Sequence, residues 1–375
     1  MTPATAAVRD ALGTVRAELL DCVQSNLAVL ADRFHGAGRH LELGATLRFR
    51  PRPGPAGLPT VEPPLQEQLA GLSPLGLAER GRLHRVPGAA LREAAERHGT
   101  LYVVADAYHM PWLPYHGQRH MEHSFLAEPA PSGAAAVTDA YYNPTPWGLA
   151  APGHWEQDWD ALPTASVVLL LDPAADGTAP PRNGPIGTDL APAAERERYV
   201  AAFADHPDRE AALGQLTAET WFLARSRKLH AACRAARGRP PGPETEDHLR
   251  RWDRLAEQAF MALRRVQRGR PEPERLLPGL AAALAADEAV FGGAADGLRT
   301  VVAAVVAGAL GTGTGAVLAA PDLSALQGFD SFRVVEIVEG LEERLGVEFD
   351  PEDLLPENLH HLDDLCRLAL GSART

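Results

Sequence analysis

Apolar residues early in the chain follow a helical rhythm. Val23, Leu27, Leu30 and Phe34 recur at spacings of four, three and four, which predicts a helix from near Cys22 to around Gly36. TLYVVADAYHMPW (100–112) is a short continuous apolar run leading into a loop, and it predicts a buried strand. HSFLAE and AAAVTDAYY predict two strands around the turn PAPSG. Farther on, helices are predicted over Thr220–Arg237 and Glu244–Arg268. In the second of these, Leu249, Trp252, Leu255, Ala259, Leu263 and Val266 trace one apolar face in a charged background. Near the end, Asp330 and Ser331 are residue types that cap helix N-termini. Phe332, Val335, Val338, Leu341 and Leu345 then mark a helical face, and Gly346 supplies a left-handed stop. A last short helix is predicted near His361–Leu370.

Glycine and proline punctuate this pattern. The stretches 50–64 and 172–192 are Pro-rich loops, and GGAADG at 292–297 has the composition of a linker. These breaks suggest three regions: an α+β domain over 1–190, a helical subdomain over 191–291, and a separate helical unit over 298–372. The length of 375 residues is enough for two or three units with cores of their own.

Charge changes the picture most at the C-terminal end. The formal net charge is −13, and residues 300–375 hold 13 Asp/Glu against 4 Arg, a local −9. An acidic chain argues against nucleic-acid binding, which needs clustered Lys and Arg. An acidic helical unit instead attracts partners with basic surfaces. The N-terminal segment shows no secretory pattern, and the apolar stretch Thr300–Ala320 is interrupted by glycines and threonines, so no membrane span is expected. Three cysteines without metal-ligand spacing fit a cytoplasmic protein with reduced thiols and no metal site.

Candidate chemistry gathers in the first region. A cysteine at a helix start meets the positive end of the helix dipole, which is expected to lower the pKa of the Cys22 thiol. With the hairpin turn centred on Pro131, His123 and Asp139 lie at equal distances on either side and point to one face. Cys22, His123 and Asp139 are therefore a nucleophile, a base and an orienting carboxylate. His35, His109, His116 and His120 are nearby alternatives for the base. Asp106 ends a predicted strand, where it caps the chain or contacts a substrate. The Cys22 N–H is a natural oxyanion donor, with Gln24 as a further candidate.

Two resemblances sharpen the reading. Gly328-Phe329-Asp330-Ser331-Phe332, followed by the acidic helix and a long loop, resembles the acyl and peptidyl carrier proteins. That resemblance implies a four-helix carrier bundle with 4′-phosphopantetheine on Ser331, a phosphopantetheinyl transferase, and an acyl- or aminoacyl-loading enzyme. The Cys22 helix, Leu43-Gly44, Phe49, DAYHMPWLPYHGQRHMEHSFLAE and the Asp139 strand are similar to the butirosin biosynthesis protein H N-terminal family. It implies a papain-like fold and transfer of an acyl group from a carrier thioester, through acyl-Cys22, to a small-molecule amine. A thioesterase, cyclase or amidase would use the same three residues, and a catalytically inactive protein that docks a carrier remains a third reading.

Overall fold

The computed structural model describes residues 3–174, 186–320, 322–350, 354 and 359–372. Much of the Pro-rich stretch 172–192 thus lies outside the described residues. The chain forms two compact units, one of Met1–Ala45, Thr60–Pro185 and Gln215–Cys233, the other of Thr46–Pro59, Ile186–Gly214 and Arg234–Thr375. These units interleave along the chain, whereas the sequence suggested three consecutive regions.

The first unit is built on a six-stranded, wholly antiparallel sheet. Its strands are β1 (Leu77–Val86), β2 (Leu101–Asp106), β3 (Glu122–Pro129), β4 (Ala135–Asp139), β5 (Gly153–Gln157) and β6 (Ala165–Pro173), in the order β5-β4-β3-β2-β6-β1. β2 explains why its sequence is apolar without alternation. Leu101, Val103 and Ala105 pack with Leu91, Ala94 and Ala95 of helix α2 (Gly88–His98). Tyr102 and Val104 pack with Leu27 and Leu30 of helix α1 (Gln24–His35). The sheet is covered on both faces, so every side chain of its central strand must tolerate burial. β1 escaped prediction because LAERGRLHRV is largely polar, as suits a strand at a sheet edge.

The hairpin of β3 and β4 differs from its predicted register. Leu126 pairs with Thr138 and Ala127 with Val137, which centres the turn on Ser132 rather than Pro131. Gly133 has φ +86°, and the Ala130 N–H bonds the Ala134 carbonyl. The connection is therefore a three-residue loop ending in a left-handed glycine, which moves the centre by one residue and the pairing by two.

In the second unit, helix α4 (Pro243–Val266) carries the predicted apolar face, with Trp252, Leu255 and Ala259 buried and Pro243 in the first turn, where its missing N–H costs nothing. It packs on helix α5 (Leu276–Phe291), and a buried His248–Asp287 contact of 2.8 Å joins the two. Helix α3 (Arg209–Ala236), of which Gln215–Cys233 belong to the first unit, is longer at its start than predicted.

The C-terminal residues form helices α6 (Gly293–Leu310), α7 (Thr314–Ala319), α8 (Ser331–Leu345) and α9 (Leu362–Ser372). They share a core that includes Val302, Val306, Val317, Ile337, Leu341, Leu362 and Leu365. Two expectations need correction here. GGAADG is not an irregular loop: Gly292 is extended and α6 begins at Gly293, the loss of helix propensity at glycine being overridden by the apolar run that follows. The inner face of α8 is carried by Val334, Ile337, Val338, Leu341 and Leu345. Phe332 is 84% exposed and Val335 54% exposed, so the predicted stripe was rotated by about one residue at its start. Among the described residues, no helix is long and apolar enough to cross a membrane.

Candidate functional site

Cys22 stands in the first turn before α1. Asp21 opens that turn: its Oδ1 accepts the Val23 N–H at 2.9 Å and the Gln24 N–H at 2.7 Å. Gln24 Oε1 accepts the Asp21 N–H in return, and Ser25 N–H bonds the Asp21 carbonyl. Asp21-Cys22-Val23-Gln24 is thus a reciprocal cap, a pattern whose residue types and spacing are present in the sequence. With its oxygen committed to the cap, Gln24 offers an oxyanion only its amide N–H groups. Two further bonds fix the turn from the sheet side. Ser124 Oγ donates to the Cys22 carbonyl, and Tyr102 O–H donates to the Val23 carbonyl at 2.9 Å.

The structure brings His123 and Asp139 together. Both are fully buried, and His123 Nε2 lies 2.7 Å from Asp139 Oδ2. Asp139 receives four donors. Oδ2 takes His123 and the Trp112 indole N–H at 3.1 Å, and Oδ1 takes the Tyr141 N–H at 3.0 Å and Asn26 Nδ2 at 3.3 Å. With its lone pairs occupied, Asp139 only accepts, so His123 Nε2 donates. In the neutral imidazole, Nδ1 is then the bare nitrogen, and it is buried with no hydrogen-bond partner among the described residues. The Cys22 Sγ lies 3.6 Å from the carbonyl oxygen of Glu122, the residue next to His123. The three candidate residues therefore converge on one end of β3.

Asn26 joins α1 to β3 and to Asp139. It is fully buried on α1, one turn after Cys22. Its Nδ2 donates to the Ser124 carbonyl at 2.8 Å as well as to Asp139, and its Oδ1 accepts the Ala140 N–H at 3.0 Å. Buried Arg225 holds a second seam. Its guanidinium donates to the carbonyls of Ala17, Leu20 and Tyr142 and lies 4.2 Å over the Trp221 ring. Asn26, Trp112, Ser124, Tyr102 and Arg225 were not found from the sequence, because nothing local marks which buried polar side chain meets which partner.

The electrostatics reverse one expectation. Cys22 is half-buried and packs against the apolar residues on both faces of the sheet. Burial, then the carboxylates of Asp21, Glu62 and Asp139, push its thiol well above the ordinary cysteine range, and the peptide dipole is too weak to offset them. Asp21 itself is pushed up to about 6, chiefly by burial, and its Oδ2 is buried without a partner among the described residues.

The remaining candidates fall outside this knot. Asp106 caps the turn after β2, accepting from Tyr108 N–H, and also meets exposed His120 at 2.6 Å. His35 bonds the Gly76 carbonyl at 2.7 Å.

Ser331 begins α8 and is exposed. Asp330 is the cap, its Oδ1 accepting the Phe332 and Arg333 N–H groups at 2.9 Å each. Gly328 before it has φ +89°, a left-handed turn that suits glycine. Ser331 is exposed and takes no part in the cap, and it stands at a helix N-terminus whose dipole favours an anion such as a phosphodiester. Residues 300–369 match the family described as phosphopantetheine attachment site. This end of the chain is a carrier domain, to which 4′-phosphopantetheine is attached covalently on a serine. A carrier domain implies a phosphopantetheinyl transferase and loading enzymes as partners, and involvement in biosynthesis. No curated protein matches the chain.

Proposed function

We propose that the chain is a carrier-fused cysteine acyltransferase, with Ser331 bearing the phosphopantetheine arm and Cys22, His123 and Asp139 moving its acyl group to an amine. The reading rests on one observation above all: a buried imidazole oriented by a four-donor carboxylate, with its other nitrogen unpartnered beside a cysteine turn. The raised thiol range then has a chemical meaning. Cys22 rests as a thiol and attacks only as His123 Nδ1 takes its proton, in the manner of a catalytic serine. The thioester carbonyl gains the Sγ–C bond, the pantetheine thiolate leaves and takes the proton back from His123, and acyl-Cys22 remains. The Cys22 N–H stabilises the developing oxyanion. A donor carried on the same chain raises its own effective concentration. The papain-like fold and the cytoplasmic setting belong to the same proposal.

The test is intact-protein mass spectrometry after incubation with coenzyme A and a broad-range phosphopantetheinyl transferase. Wild type and Cys22→Ala are expected to gain one arm and Ser331→Ala none. After acyl loading, the group is expected to leave wild type in the presence of an amine and to persist on Cys22→Ala. An acyl group that persists on wild type would leave the first unit as a carrier-docking protein. Free acid formed without an amine would make it a thioesterase.

A further inference from the structure

Amide formation from an amine in neutral water carries a proton problem that one buried histidine does not solve. An alkyl amine is an ammonium ion near pH 7, having a pKa of roughly 10 like a lysine. Converting R–NH₃⁺ and acyl-Cys22 to an amide forms one C–N bond, breaks the C–S bond, and removes two protons from nitrogen. One of them ends on Cys22 Sγ through His123. The other must leave before attack, because an ammonium has no lone pair, and it must reach water. His123 has no exposed surface.

A second histidine–carboxylate pair lies at the same end of the sheet. Resting on the acyl-transfer reading, we infer that His120 is the base that takes the first proton from the acceptor amine. His120 Nδ1 meets Asp106 Oδ2 at 2.6 Å. Its ring stacks on Tyr108 at 4.1 Å and 10°, with His109 edge-on at 6.2 Å. Asp106 is itself fixed, its Oδ1 accepting the Tyr108 N–H at 3.0 Å and the Met121 N–H at 3.2 Å. Burial works to raise the Asp106 carboxyl, but these bonds prevail and hold it below the usual carboxylate range, so it accepts and Nδ1 donates. The bare nitrogen is then Nε2, which has no hydrogen-bond partner among the described residues. The side chain is 68% exposed, so a proton taken there passes directly to water.

Position points the same way. Asp106 pairs across the sheet with Glu122, whose carbonyl oxygen contacts Cys22 Sγ at 3.6 Å. The partner of His120, Asp106, thus lies one cross-strand step from the residue that touches the thiol, and His120 itself is exposed rather than part of the buried knot. A purely structural role fits poorly. Exposed ion pairs contribute about 0–1 kcal/mol, and the loop is already closed by Ala107 N–H to the Met121 carbonyl and Gly117 N–H to the Tyr108 carbonyl, each 2.9 Å.

The experiment compares wild type, His120→Gln and Asp106→Asn, the last keeping an oxygen for both caps. Acetyl-Cys22 is formed from the acetyl thioester of N-acetylcysteamine and chased at neutral pH with ethylamine, which is charged, or trifluoroethylamine, which is not. His120→Gln is expected to form acetyl-Cys22 normally, to transfer to ethylamine about 100-fold more slowly, and to match wild type with trifluoroethylamine. Asp106→Asn shows a smaller loss of the same selectivity. Equal losses with both amines, or none with either, would overturn the role of His120. Failure of wild type to form acetyl-Cys22 would overturn the acyl-transfer reading itself.

Discussion

Asp139 is the diagonal neighbour of His123, not its direct cross-strand partner. Continuing the register in which Leu126 opposes Thr138, the residue opposite His123 is Tyr141, and Asp139 is two positions short of it. Same-face parity survives a shift of two but not of one, so the 2.7 Å contact forms all the same. The diagonal also leaves space for the Tyr141 ring, which meets His123 edge-on at 5.2 Å.

The donors around Asp139 separate positioning from packing. Trp112→Phe removes one N–H from Oδ2 and keeps most of the ring against Phe125. Formation of acyl-Cys22 is expected to slow about tenfold, as for loss of roughly 1.4 kcal/mol, with the melting temperature little changed. Asn26→Ala strands the Ala140 N–H in the core, and denaturant titration is expected to show a loss of roughly 2 kcal/mol.

The Cys22 thiol is expected to be quiet in the resting protein. Alkylation by iodoacetamide is expected to be slow near neutral pH and to rise only in strongly alkaline solution, because burial and neighbouring carboxylates oppose the thiolate. Glu62→Gln removes one of those charges, lowers the thiol pKa, and is expected to raise the alkylation rate a few-fold at fixed pH. Peptide mapping of the alkylated residue, with and without Glu62, checks both statements.

Asp21 gives stability a pH dependence of unusual sign. Its carboxyl rises from 3.8 in the free side chain to about 6 in the fold, so the folded state favours the protonated form. That contribution is complete below the unfolded value and is lost as pH rises through about 6, amounting to about 3 kcal/mol. Asp21→Asn keeps the cap without the charge. Melting curves are expected to show the variant more stable than wild type at about pH 8 and equal to it near pH 4.

Within the carrier domain, exposure predicts opposite outcomes for two apolar residues of one helix. Phe332→Ala is expected to alter stability by less than about 0.5 kcal/mol, since its ring is 84% exposed. Leu341→Ala is expected to cost about 2–5 kcal/mol, since that side chain is fully buried. Denaturant midpoints of the two variants decide the point.

What could be read from the chain was local. The helix after Cys22, the stop at Gly346 and the existence of the β3–β4 hairpin, though not its centre at Ser132, each rest on a few adjacent residues, and they were recognisable. The His123–Asp139 contact was reachable because a hairpin turns strand spacing into proximity. The raised Cys22 thiol was not, because its largest cause is burial, which adds to the neighbouring Asp21 charge and to Glu62 and Asp139, distant in sequence. Asn26 and Trp112 read as ordinary helix and loop residues until the sheet brings Asp139 to them. Strand β1 was hidden because its polar edge gives no period to count.

The interleaving of the two units bears on how the protein is made. The carbonyls of Ala17, Leu20 and Tyr142 wait for the guanidinium of Arg225, and α3 supplies it only after the whole sheet has been synthesised. Domains generally fold as they emerge from the ribosome, but a nascent chain ending near residue 190 would carry Cys22, His123 and Asp139 without that clamp. A truncation at the apparent sequence boundary therefore yields an unfinished fold, and the first unit is completed only late in translation.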